Sequence, residues 1–310
     1  MNKTLAANRV ELAFEAWHTS SAVRARPYAY EFSVQDYQIC EPALWFPEIL
    51  MPLLKLSRVR ELSKEQLLEI HVQHLINFLD YTTDLEITHV NSGVNTMTHG
   101  ALSQYFTESE KCAALKLYTD EGYHALFSKE MAEQLAGHFI FVRRRSARVK
   151  QLDKVVAASP VEFKHLVAFV IAFVSETIIV QELSCLARSD LVSPVFHMFK
   201  DHLQDEAKHS VLFVECWVRL WSQLTGRERD FIVDLVIKVI CIFCRPDTRF
   251  LLSILNFDRT LGRAVVAEMR KSWRARMPHV IDTTMKALRR TDVLDCQVYL
   301  ERFKASGVVS

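Results

Sequence analysis

Two copies of one pattern, Asp120-Glu121-Gly-Tyr-His124 and Asp205-Glu206-Ala-Lys-His209, constrain this chain more than any other feature. Each lies inside a long stretch of helical periodicity, where a Glu and a His three residues apart share one face. That face is apolar. Around the first copy, Ala114, Leu117, Tyr118, Glu121, His124, Ala125, Ser128 and Met131 recur at helical spacing. Around the second, Val195, Met198, Phe199, His202, Glu206, His209, Phe213 and Trp217 do so. Two more segments turn a lone carboxylate into such a stripe: Glu86 among Leu75, Leu79, Thr83 and Val90, and Glu176 among Phe169, Ala172, Phe173, Val180 and Leu183.

A single Glu-x-x-His pair usually marks a solvated helix face or a core histidine with a backbone partner. Four helices that each bury a carboxylate are a different case, because an uncompensated buried charge costs several kcal/mol. Too few Lys or Arg lie on these stripes to offset four carboxylates, which leaves metal cations. Carboxylate and imidazole together favour iron or manganese over zinc or calcium.

The remainder of the chain is helical in character. Glycine occurs only 7 times in 310 residues, and the alternating runs and turn dipeptides of sheets are nearly absent. Ser63-Lys-Glu-Gln66 opens a helix predicted to run to about Val90, with Gly93 beyond it. Thr107-Glu-Ser-Glu110 opens a second that Gly137 closes, Ser159-Pro160-Val-Glu162 a third ending near Arg188, and Ser193-Pro194 a fourth that Gly226 closes. At roughly 25 to 32 residues each, or about 40 Å, they have the length of a large four-helix bundle.

Chain spacing brings the four carboxylates level. The midpoint between Glu176 and Glu206 falls in the loop "RSDLVSP", and that between Glu86 and Glu121 falls just past Gly100. In antiparallel hairpins each pair therefore meets. The fold class is all-α: a ferritin-like four-helix bundle with a dinuclear metal site and additional packing helices. Residues 63–226 form the core, residues 1–62, with Pro27, Pro42, Pro47 and Pro52, a covering arm, and residues 227–310 further C-terminal helices. No linker divides the chain, so 1–310 reads as a single domain.

Several residues extend the ligand set. His202 lies on the face of Glu206 and His209 and adds a third imidazole there, as a ligand or as a side chain packed beside the ligands. Asp120 and Asp205 would accept the free N–H of a metal-bound histidine on the opposite hairpin, unless they occupy exposed helix positions. His89, three after Glu86, has ligand spacing but sits near the predicted helix end. Glu182 falls off the Glu176 stripe. The pair Cys241-Ile-Phe-Cys244 lies in an apolar run with no second pair to complete a zinc site, and reads as buried thiols.

Composition bounds the rest. Lys+Arg number 38 against 37 Asp+Glu, a net charge of +1, which supplies no basic field for nucleic acid. An odd count of 7 cysteines fits a reducing cytoplasm. The apolar run "HLVAFVIAFVSETIIVQEL" contains Glu176 and Glu182, expensive in lipid, so a buried helix is expected and no membrane span.

With these residues in hand, the chain resembles the p-aminobenzoate N-oxygenase family of diiron proteins. That family carries two copies of Glu, a spacer of about thirty residues and Asp-Glu-x-x-His, with an added histidine one turn before the second motif. Here the copies run from Glu86 to "DEGYH" and from Glu176 to "DEAKH", with His202 as the added histidine. The resemblance covers about residues 63–226. It implies Glu86, Glu121, His124, Glu176, His202, Glu206 and His209 as ligands of two irons, with manganese as a possible substitute. It further implies O2 as co-substrate, oxidation of an amine nitrogen to hydroxylamine, nitroso or nitro products in secondary-metabolite biosynthesis, an electron donor such as a ferredoxin or reductase, and a homodimer. The segment "LINFLDYTTDLE" before Glu86 has no Arg or Lys to meet an aminobenzoate carboxylate, which leaves a neutral arylamine, an amino acid or a carrier-tethered amine open. The run "RRRSARVK" from Arg143 to Lys150 reads as a solvated loop or as a dock for an acidic carrier or reductase. Other ferritin-like diiron proteins share the six-ligand pattern: C-hydroxylases, desaturases, radical-generating subunits, for which Tyr118 is placed one turn from Glu121, and non-enzymatic iron handling.

Overall fold

The computed structural model describes residues 3–25, 30–141, 143–188, 190–254 and 259–309; Pro27, Ser189 and the stretch 255–258 lie outside the described residues. Among the described residues there is no strand. Two of the predicted caps form as expected. Ser63 Oγ accepts from Gln66 N at 3.3 Å while Gln66 Oε1 accepts from Ser63 N at 3.0 Å. Thr107 and Glu110 exchange the same two bonds at 3.2 and 2.8 Å.

After helix α1 (Lys3–Phe14) and a series of single turns through Arg60 come the long elements. They are α2 (Lys64–Leu85), a π-turn (Glu86–Val90), α3 (Asn91–Thr98), α4 (Glu108–His138), α5 (Ala147–Ala158), α6 (Lys164–Leu186) and α7 (Ser193–Trp221). Then follow α8 (Gly226–Phe243), α9 (Thr248–Ile254), α10 (Arg259–Val280), α11 (Asp282–Arg289) and α12 (Gln297–Ser306). Helix α2 pairs with α4 and α6 with α7, while α3 lies on α6, α4 meets α7, and α1 lies across both α4 and α7. This is the all-α bundle expected from the stripes.

Three predicted boundaries are corrected. Gly226 does not close the fourth helix: Thr225 caps the next one through Glu228, and Gly226 is the first residue of α8. The third helix does not start from a Ser159 cap, because Ser159 Oγ donates to Val155 O at 2.6 Å, Pro160 is extended and one tight turn precedes Lys164. The first helix does not stop near Val90. It passes through the π-turn, which starts at Glu86, and continues to Thr98. A π-turn shifts the helix face by inserting one residue, a device often found at functional sites. Gly93 lies inside α3, and a Cβ there would fall 2.5 Å from Ala172 Cβ and 2.8 Å from Ala168 O. Its role is close helix approach rather than termination.

The hydrophobic core falls into two clusters with a polar layer between them. One holds Val90 and Val94, Leu117, Phe169 and Phe173, and Phe213 and Trp217. The other holds Leu75 and Leu79, Phe127 and Met131, Leu183, and Met198 and Phe199. Along each of the four long helices the chain passes from one cluster to the other through a carboxylate: Glu86, Glu121, Glu176 and Glu206. The four carboxylates are therefore level. Phe173 and Trp217 stack at 4.7 Å to close one side, each buried aromatic contributing about 1.5–3 kcal/mol. The stretch Val161–Leu186 is long and apolar enough to cross a membrane, yet 83 % of its apolar 18-residue window is buried against the rest of the chain.

Helix approach at Gly93 yields a stability test. Gly93→Ala should lose about 1–3 kcal/mol through overpacking against the α6 backbone. Gly137→Ala, facing open space inside α4, should gain about 0.5–1 kcal/mol. Urea unfolding measures both, and equal midpoints for Gly93→Ala and the parent chain would remove the close-approach role.

Candidate metal centre

Every predicted ligand reaches one buried layer, where Glu86, at 4 % exposed, is the most accessible. His209 Nδ1 lies 2.8 Å from Glu121 Oε1 and 3.5 Å from Glu176 Oε2. His124 Nδ1 lies 3.2 Å from Glu206 Oε1 and 3.4 Å from Glu121 Oε2. His202 Nε2 lies 3.1 Å from Glu206 Oε1 and 3.3 Å from Glu86 Oε1. Two overlapping sets of donor atoms could each hold an ion, with all atoms of a set within 4.8 Å: Glu86, His124, His202 and Glu206, and Glu121, His124, Glu206 and His209. His124 and Glu206 belong to both. Glu176 adjoins the second set through His209.

Within this layer His202 Nε2 and Glu206 Oε1 share a hydrogen bond at 3.1 Å, but many of the other polar atoms face one another without completing one. Glu86 Oε2, both oxygens of Glu121, Glu176 Oε2, Glu206 Oε2, and Nδ1 of His124 and His209 are all buried with no hydrogen-bonding partner. Orphaned buried polar atoms each cost about 1–3 kcal/mol. Convergent lone pairs of this kind fit cations. Electrostatics point the same way. Burial pushes the Glu86 carboxyl up to about 7, and burial together with the charges of Glu206 and Glu121 pushes Glu176 well above its usual range. Glu206 goes the opposite way. Burial would raise it, but His209, His124 and His202 outweigh burial and hold it well below the usual range. The His124 and His209 imidazoles rise in turn against burial, His124 through Asp205 and Glu121, His209 through Glu206 and Glu121. Crowding thus displaces Glu86 and Glu176 upward and Glu206 downward. Two divalent ions would cancel the four negative charges when the imidazoles are neutral.

Beyond this layer, the two aspartates are buried, not exposed. His209 Nε2 faces Asp120 Oδ2 at 3.2 Å, and His124 Nε2 faces Asp205 Oδ2 at 3.4 Å. Each aspartate serves the histidine of the opposite hairpin, as expected. A proton on Nε2 leaves Nδ1 free to face the carboxylates. Sequence reasoning missed what holds these aspartates. The N-terminal arm does so: Trp17 Nε1 donates to Asp120 at 2.7 Å, Ser21 Oγ donates to Asp120 at 2.5 Å, and the Ala22 backbone N–H donates to Asp205 at 3.0 Å. Phe14 stacks over His209 at 6.2 Å. The lone hint in the sequence was a Trp within a largely polar stretch.

Other singled-out residues lie elsewhere. His89 Nε2 turns to Asp153 at 3.2 Å, away from the layer. Tyr118, expected on the buried stripe, is 41 % exposed because it lies at the edge of that stripe, so it does not stand beside the carboxylates. Cys241 and Cys244 are free thiols, and burial pushes Cys244 up to about 12. In the run from Arg143 to Lys150, Arg143 pairs with Glu133 and Arg145 with Asp153, both at 2.5 Å. The second half of that run is the start of α5 rather than a loop, with Ser146 as its cap.

The sequence model of the family described as p-aminobenzoate N-oxygenase AurF matches residues 18–292 of the chain. No curated protein matches it. The match extends well beyond the bundle, into the arm that supplies Ser21 and Ala22 and through α11.

Removing the aspartate charge tests the outer layer. Asp120→Asn and Asp205→Asn should each weaken metal binding about 10–100-fold, read by competition with a coloured chelator. Unchanged affinity in both would mean that the aspartates only fill space.

Proposed function

The chain belongs to the p-aminobenzoate N-oxygenase family, and from that premise we propose that it is an O2-dependent diiron enzyme that oxidises an amine nitrogen to the hydroxylamine, nitroso or nitro level. The observation carrying this reading is the buried layer of Glu86, Glu121, Glu176 and Glu206 with His124, His202 and His209, in which at least one oxygen of every carboxylate lacks a hydrogen bond. All seven are assigned as ligands of two irons, and manganese is a possible substitute. When bound, the iron pair supplies the electrons and open positions through which O2 is activated.

The chain's own residues prepare that chemistry. Glu206 and His124 belong to both donor sets; the two oxygens of Glu206 would let it serve both positions, while His124, with one free lone pair at Nδ1, would serve one of them. Asp120 and Asp205 hold the Nε2 protons of His209 and His124 and so direct Nδ1 inward. Trp17, Ser21 and Ala22 fix the aspartates, while Phe127 and Phe213 belong to the apolar clusters that exclude water from either side. His202 gives one position an extra imidazole. Residues 1–310 work as one unit in this scheme, since the arm completes the site. Reduction of the iron pair calls for an electron donor such as a ferredoxin or reductase, and the free thiols fit a cytoplasmic, biosynthetic enzyme. A homodimer is part of the same proposal.

Protein loaded with Fe(II), reduced and exposed to O2 with a panel of aromatic and aliphatic amines should yield products with oxygen added at nitrogen, detected by mass spectrometry. His202→Ala should lower product formation by at least about tenfold while the other ligands keep some iron bound. Rapid O2 consumption with no altered amine, in protein holding about two irons per chain, would overturn amine oxidation and favour iron handling.

A further inference from the structure

Helix α5, the turn between α8 and α9, and α10 enclose an open cleft of about 1350 Å³. Its walls are strongly basic. Lys150 and Lys154 face it from α5, Arg245 from the turn, Arg249 from α9, Arg270 and Arg274 from α10, and Lys304 from α12. All seven are exposed, and none has a salt-bridge partner among the described residues. The one acidic side chain lining the cleft, Asp153, is already held by Arg145 at 2.5 Å and His89 at 3.2 Å. Seven like charges converging on one concavity repel each other, and an anion there would relieve them.

Beside the cleft lies a second, smaller pocket of about 100 Å³. Pro246 lines both spaces, and stretches around residues 146–148, 245–250 and 273–277 wall both. Cations line it as well. Arg276 lies 5.4 Å over the Trp273 ring, and Arg148 lies between the Trp273 ring at 4.9 Å and the Tyr81 ring at 5.3 Å. Glu182, 7 % exposed, also lines this pocket, beside Tyr81 and close enough to Arg148 to interact with its charge.

We infer that the cleft binds the phosphate-bearing tail of the substrate: a small amine joined to a di- or polyphosphate group, as in a nucleotide conjugate, whose amine end passes Arg148 and Trp273 to reach Glu182 and Tyr81. This rests on the amine-oxidising function proposed above. Four arginines offer planar forks that match phosphate oxygens. Convergence on a concavity fits a small polyanion, and at about 1350 Å³ the open cleft exceeds the about 300–1,000 Å³ of most small-ligand sites, leaving room for an extended one. A protein partner would instead need a broad face of about 800 Å². Glu182, buried beside Arg148, is placed to accept N–H bonds from the amine end.

The test is a calorimetric titration of the metal-loaded, full-length protein, without O2, with ADP, pyrophosphate and inorganic phosphate at low and high salt. ADP and pyrophosphate should bind saturably at one site per chain, more tightly than phosphate, and weaken steeply as salt rises. The double variant Arg270→Glu/Arg274→Glu should lose at least about tenfold in affinity, whereas Lys164→Glu/Lys238→Glu, the same charge change outside the cleft, should keep it. Equal loss in both variants, or no saturable binding of any of the three anions, overturns the inference. Because no oxygen chemistry is read, such a failure leaves amine oxidation standing. Intact ADP binding in protein that never alters an amine would sink the proposed function and not the site.

Discussion

Four carboxylates held at one level inside an apolar bundle are the constraint on which the rest of this structure depends. Each belongs to a different length of helix, and each helix runs from one hydrophobic cluster to the other through its carboxylate. An aqueous bundle core would tolerate one such group with a good partner. Four require cations or protons, and the opposite displacements of Glu176 and Glu206 show which groups protonate and which stay charged when only imidazoles face them. A cluster of this kind destabilises the empty bundle and is stabilised by what it binds, so metal affinity and folding are coupled.

That coupling explains the arm. Histidines facing metal need a fixed tautomer, the tautomer needs Asp120 and Asp205, and buried aspartates need donors of their own. Helices α4 and α7 provide one of these, Lys208 at 2.9 Å from Asp205. The arm supplies Trp17, Ser21 and the Ala22 N–H. Residues far from the carboxylate layer in sequence thus form part of its setting, and the family match, beginning at residue 18, takes in Ser21 and Ala22.

The layer itself was legible in the sequence because helical periodicity is a local rule: a residue's neighbours three and four positions away decide its face, and hairpin midpoints decide its level. The Ser63 and Thr107 caps were legible for the same reason, each being complete within four residues. What failed depended on contacts from elsewhere. Gly93 resembled a terminator, yet its lack of a side chain is required by Ala168 and Ala172 on another helix. Gly226 fitted a helix end until Thr225 and Glu228 are recognised as a cap for the next helix. Tyr118 sat at the stripe edge, where a small rotation decides between core and solvent. No spacing rule relates Trp17 to Asp120, so the donor side of the outer layer could not be read.

The π-turn at Glu86 links these threads. Glu86, like Glu176, comes from a helix that brings no histidine into the layer, and of the four carboxylates it alone sits in an extra-residue turn; Tyr81, about one turn before it, lines the smaller pocket beside the cleft. Regular α-helix there would have kept Glu86, Val90 and Val94 on one continuous stripe packed against α6. The inserted residue breaks that register at the carboxylate, letting α3 press Gly93 onto α6 while α2 turns toward the cavity side. The side of the layer nearest Glu86 is therefore where the bundle departs from regular packing. Opposite it, the histidine-bearing helices α4 and α7 are held by the arm through Asp120 and Asp205, so irregular packing on one side and rigid support on the other follow from one irregular turn and one N-terminal segment.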